Sequence, residues 1–257
     1  MSPRFKTQIV QSMDFTVAAI AGGAFFFAAF AKGITGMGFA TTCLPLIALP
    51  LGLEFALPLV LVPSVASNII VQVEAGHFRE TMRRFWPMVF AAMTGVAIGI
   101  YLLSVVETRI ASAVLGVVLI VYGVFALRTP DMSLPAQLEK PLAPVAGLTT
   151  GVINGLTGSQ LMPVLPYLMS LKLDRERFVQ AINCSFTASS LVMAAGLSQI
   201  GLMNWERVLV STLGIVPVWV GLKLGTPLRR RISPDLFRTL VILMLMASGA
   251  MLVVRVV

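Results

Sequence analysis

Nine runs of this chain contain no Asp, Glu, Lys or Arg: residues 15–31, 33–53, 55–73, 85–106, 110–127, 141–171, 178–205, 208–222 and 239–254. An α-helix needs about 20 apolar residues to cross the hydrocarbon layer of a bilayer. In that layer water cannot satisfy the backbone, so each N–H and C=O must find a partner within the protein. Runs of this length therefore predict an all-α polytopic membrane protein. The composition agrees: 57% of residues are hydrophobic and 12% charged, about half the charge of a soluble domain. The formal net charge of +8 does not point to nucleic acid, because the basic residues cluster in short loops between apolar runs. Residues 1–14 are polar, and no small-residue cleavage pattern follows them, so no cleavable signal is expected. Cys43 and Cys184 both lie in apolar runs and read as small buried hydrophobes.

Two stretches fit a simple helix badly. Residues 15–53 are too long for one span and are divided by Lys32-Gly33-Ile34-Thr35-Gly36-Met37-Gly38-Phe39. Residues 141–171 are too long for one span and short for two, and are divided by Asn154-Gly155-Leu156-Thr157-Gly158-Ser159-Gln160-Leu161. Glycine costs about 1 kcal/mol against alanine inside a helix, so these runs mark broken helices. Prolines follow each break: Pro45 in the first half, Pro163 and Pro166 in the second. The count is eight clear transmembrane helices, or ten segments if both members of each broken pair cross.

The breaks sit 122 positions apart, as do Glu54 and Glu176, and Gly99 and Gly221; Gly123 and Gly249 are 126 apart. This predicts a single transmembrane domain built from two repeats, residues 14–128 and 141–257, joined by a connector at 129–140. Loop charges orient the repeats. Loop 51–55 has no Lys or Arg, whereas its equivalent, 172–177, has Lys172, Arg175 and Arg177. Loop 74–84 has Arg79, Arg83 and Arg84, and its equivalent, 199–207, only Arg207. Turn 107–109 has only Arg109, and its equivalent holds Lys223 and Arg229, Arg230 and Arg231. Positive loops stay cytoplasmic, so equivalent loops lie on opposite faces and the repeats are inverted. The C-terminus is then expected outside; Arg4 and Lys6 argue against an outside N-terminus, and the larger number of loop charges outweighs them.

The break in the first half, followed by Pro45 and repeated later in the chain, resembles the TauE/SafE family of membrane permeases. The resemblance covers nearly the whole chain. It implies a multi-pass protein of the bacterial inner membrane that transports, often exports, sulfur-containing anions such as sulfite and sulfonates. The second motif departs from the first, with Ser159 and Gln160 where the first half has Met37 and Gly38.

The residues themselves suggest how such a chain holds an anion. A helix that starts at mid-membrane exposes free N–H groups and the positive end of its dipole, which attract anions without a buried cation. Gly33, Thr35, Gly36 and Gly38 in one half, and Gly155, Thr157, Gly158, Ser159 and Gln160 in the other, are the expected starts of two facing half helices. The alternative use of the glycines is close helix packing. Lys32 either attracts the anion or snorkels to the headgroups. Asn68 and Asn183, polar residues in apolar runs, either face the substrate or join helices. Glu54 and Glu176 are capping or solvated carboxylates or proton-coupling groups, and His77 is a solvated loop residue.

No nucleophile–base set, paired Cys/His cluster or phosphate-binding loop occurs in the sequence, so neither an enzyme nor any cofactor is expected. The expected function is a secondary transporter that exports a small sulfur-containing anion by alternating access. An anion channel or a carrier of another small carboxylate is the alternative. Expected partners are the anionic substrate and the bilayer, with protons or sodium as coupling ions for uptake; monomer and homodimer stay open.

Overall fold

The computed structural model describes residues 15–35, 38–128, 132–228 and 234–255, and every regular element among them is helical. In the first half α1 spans Phe15–Thr35, α2 Phe39–Leu51, α3 Leu53–Ala75, α4 Phe78–Val105 and α5 Thr108–Arg128. In the second half α6 spans Ala136–Thr157, α7 Val164–Ser170, α8 Arg175–Gln199, α9 Trp205–Leu213, α10 Ile215–Leu228 and α11 Pro234–Val254. Among the described residues six helices are long and apolar enough to cross a membrane, one of them running through α9 and α10 as Arg207–Leu228. The chain is an all-α polytopic membrane protein. The connector is shorter than expected: Ala136, Gln137, Leu138, Glu139 and Lys140 form the first turn of α6, as good helix formers after Pro135. Gly36, residues 129–131, Arg229–Arg231, Arg4 and Lys6 lie outside the described residues.

The broken pairs contain the short helices. Gly38 (φ 87°) precedes α2 and Gly52 (φ 88°) follows it, both in backbone regions that glycine enters without penalty. With 13 residues α2 is about 20 Å long, roughly two thirds of the hydrocarbon thickness. With 7 residues α7 covers only about 10 Å.

The halves interlock by exchanging helices. α1 packs against α10, and α6 against α4. At the first crossing a Cβ on Gly33 would lie 2.9 Å from the Gly225 Cα, and Gly221 faces Phe26, Ala29 and Phe30. At the second a Cβ on Gly155 would lie 2.7 Å from the Gly99 Cα, and one on Gly151 would lie 2.9 Å from the Gly95 Cα. The two crossings match residue for residue when Gly33 is paired with Gly155, and Gly225 with Gly99. The equivalence of Gly99 with Gly221 is thereby corrected: Gly221 corresponds to Gly95. The turn between α8 and α9, residues 200–204, is three residues longer than the Gly76–His77 turn between α3 and α4, which supplies most of the change in offset from 122 to 126.

Two pairs of helices, each with one member from either half, run in opposite directions. On α3 and its counterpart α8, Gln72 meets Asn183 and Thr187, while Leu61 and Ser64 gather with Ser190 and Met193, so the pair is antiparallel. On α5 and α11, Gly116 faces Gly249 and Gly123 faces Met246, again antiparallel. Ion pairs gather the basic segments on one face. Arg177 pairs with Glu80 at 2.9 Å and with Asp174 at 2.7 Å, and Arg84 with Glu139 at 2.6 Å. His77, expected to be merely solvated, sits between Glu80 (3.6 Å) and Glu176 (3.5 Å). The far ends of the same helices carry Glu54, which accepts from the Thr108 hydroxyl, and Arg255, which donates to the Leu49 carbonyl.

Candidate functional site

Lys32 lies one helical turn before the end of α1 and is 1% exposed. Its Nζ donates to Asn68 Oδ1 at 2.6 Å, Ser67 Oγ at 3.1 Å and Asn183 Oδ1 at 3.3 Å. The snorkelling alternative is thereby excluded, since the side chain points into the α1–α3–α8 junction. All three partners are neutral, and no carboxylate among the described residues pairs with it. Burying an ion away from water costs several kcal/mol unless an opposite charge and good hydrogen bonds offset it. Here the hydrogen bonds are supplied and the opposite charge is not. The antiparallel crossing of α3 and α8 brings Asn68 and Asn183 to one lysine, although they are far apart in sequence. The Asn68 Nδ2 donor beside them has no partner among the described residues.

The second break forms a separate polar group on the same α3–α8 seam. Thr157 ends α6 and donates to the Ile153 carbonyl at 2.6 Å, and Gly158 (φ 78°) caps the helix. The Ser159 amide donates to Thr157 Oγ1 at 3.2 Å, and Gln160 Nε2 to Ser190 Oγ at 3.0 Å. Asn154 Nδ2, Ser159 Oγ and Gln160 Oε1 are buried without partners. Asn154 and Gln160 border a cavity of about 20 Å³, which is enough for one water.

The expectation that both motifs start half helices is corrected. Thr35 ends α1, and Thr157, Gly158, Ser159 and Gln160 terminate α6 and lead away from it. Only the first break delivers a helix start at once, with Gly38 preceding α2. In the second, Pro163 and the cis peptide before it separate the motif from α7. Gly33 and Gly155 sit at the helix crossings, where the neighbouring backbone occupies the place of a side chain. So the two breaks are unlike: a helix end is followed almost at once by a helix start in the first, and the two are separated by residues 158–163 in the second.

Beside the first break lies a larger cavity of about 470 Å³, between α2, α5, α7, α8 and α11. Gly38, Thr41 and Thr42 line its buried end, and the exposed Arg175, on the basic face, lines its mouth. It occupies depth that the short α2 leaves unfilled. Beside the smaller cavity Leu44 and Leu57 close over Gly158, where an added Cβ would lie 2.7 Å from Leu44 Cδ1. The pocket residues Ser67, Thr41, Thr42 and Ser190 were missed in the sequence. The adjacent threonines one turn past a glycine break were the available signal, while the serines had none.

Residues 21–252 match the model of the family described as Sulfite exporter TauE/SafE. No match was found among curated proteins or solved structures.

Proposed function

The chain belongs to the Sulfite exporter TauE/SafE family, and from that membership we propose that it is a secondary transporter that exports a small sulfur-containing anion by alternating access. The observation that carries this reading is Lys32: a fully buried cation held by neutral acceptors is a site whose missing counter-charge an anion supplies. Asn68 Nδ2, free beside it, is a second donor for the same ligand. The cavity reached from the basic face past Arg175 fits an inward-facing carrier in a bacterial inner membrane whose basic loops are cytoplasmic. The inside-negative potential then drives export of a monoanion by about 2.3 kcal/mol per 100 mV.

The test is ligand-dependent thermal stabilisation and saturable counterflow with purified protein, using sulfite, thiosulfate, taurine and sulfonates. At least one anion should stabilise the wild type and exchange, and Lys32→Met should lose both effects while still folding. Stabilisation by neutral or cationic solutes alone, or full counterflow by Lys32→Met, removes the reading.

A further inference from the structure

The large cavity does not have the character of a site for an inorganic ion alone. Its volume of about 470 Å³ is within the range of pockets that enclose organic molecules. At about 30 Å³ for each water-sized group, it holds roughly fifteen of them, and a four-atom oxyanion fills a small part. Its walls are apolar: Tyr122, Phe125, Leu165 and Leu245 stand between its two polar ends. Water left against such walls is unfavourable in proportion to the apolar area wetted.

The buried end is polar in a specific way. Thr41 and Thr42 are 2% and 3% exposed, both line the cavity, and neither hydroxyl makes a hydrogen bond among the described residues. They belong to the first turn of α2, whose capping residue Gly38 offers no side chain and whose first backbone bond is Thr42 N to Gly38 O at 2.9 Å. Among the described residues the N–H groups before Thr42 have no acceptor, and they lie at the positive end of the helix dipole. Two independent features, unpartnered hydroxyls and free helix amides, converge on one apolar chamber.

We propose that this chamber binds an amphipathic organic anion. Its sulfonate or carboxylate head rests on Thr41, Thr42 and the start of α2, and an apolar body of about eight to ten carbons fills the space towards Arg175. The proposal rests on the anion-transport reading above and adds that the cargo's apolar part is read by the protein. Arg175 at the mouth draws the anion in from the basic face.

Binding is measured by titration calorimetry on full-length protein in phosphatidylcholine nanodiscs, with octane-1-sulfonate, naphthalene-2-sulfonate, octanoate, sulfite and octyltrimethylammonium. The organic anions should bind about tenfold or more tighter than sulfite, and the cation of equal chain length should not bind. Ala126→Phe, which fills the chamber from its wall, should weaken the organic anions about tenfold or more and leave sulfite unchanged. The near-isosteric pair Thr41→Val and Thr42→Val keeps the packing and should weaken every organic anion. If sulfite binds while the organic anions do not, or the variants leave organic-anion affinity unaltered, the chamber is not their site and the transporter reading stands. If no anion binds at all, both fail. Equal occupation by added anionic phospholipid, with no competition from octane-1-sulfonate, assigns the chamber to lipid and overturns the proposal.

Discussion

Gly155→Ala isolates what the glycines do. The added Cβ would lie 2.7 Å from the Gly99 Cα and also meet the Val96 carbonyl oxygen. Carbon atoms in good contact are about 3.5–4.0 Å apart, so α4 and α6 must separate by roughly 1 Å along their crossing. Both sides of the contact are backbone, which no rotamer change relieves. Overpacking of this kind costs about 1–3 kcal/mol, and the better helix propensity of alanine returns about 1 kcal/mol. The net loss is up to about 2 kcal/mol, a fall in Tm of up to roughly 4–8 °C for a chain of this size. Gly33→Ala, whose Cβ would lie 2.9 Å from the Gly225 Cα, should follow the same direction with a smaller effect. Gly22→Ala is the control: nothing stands within 4 Å of its Cβ, so it should match or exceed wild-type stability. Thermal unfolding of the three variants in one detergent, each with and without a stabilising anion, decides the matter. Wild-type stability of Gly155→Ala with lost anion stabilisation would refute the packing role and return this glycine to the ligand.

Two further outcomes are expected. Asp174 caps α8 through the Arg177 amide (3.0 Å) and also holds its guanidinium, and these bonds keep its carboxyl below the usual carboxylate range. Because the folded-state pKa is depressed, its stabilisation is present at neutral pH and lost as pH falls through that value; Asp174→Ala should lower Tm at pH 7 and converge with wild type in acid, and a pH-independent difference would rule out the charge. For sidedness, Arg175→Cys and Trp205→Cys in a Cys43→Ala, Cys184→Ala background should react with an impermeant maleimide from opposite faces, Arg175→Cys from the cytoplasm. Reaction from the same face would sink the inverted arrangement.

Much of the site was legible at the level of segments and little at the level of contacts. Lys32, Asn68 and Asn183 stood out because polar residues are rare in apolar runs. Nothing local showed that they share one hydrogen-bonded cluster, since that depends on α3 and α8 crossing antiparallel. Ser67 was invisible for the same reason: serine is common in membrane helices and only its neighbour's position gives it a role. The glycine breaks were visible as breaks, but their use differs by residue. Gly38 ends up at a positive φ before α2, whereas Gly33 and Gly155 sit mid-helix against another backbone.

The sequence by itself determined that the chain lives in a bilayer, that its elements are helices and that two of its apolar runs are broken. It also carried the expectation of a duplication and, through loop charges, of opposed halves. Those properties follow from hydrophobicity, backbone satisfaction and charge, which act residue by residue. Tertiary structure alone decided that Lys32 is buried among neutral acceptors, that the second break ends a helix instead of starting one, and that a chamber opens beside Thr41 and Thr42. Those depend on how far α2 reaches and on which backbones approach too closely to admit a Cβ, quantities set by packing between distant segments and absent from any local pattern.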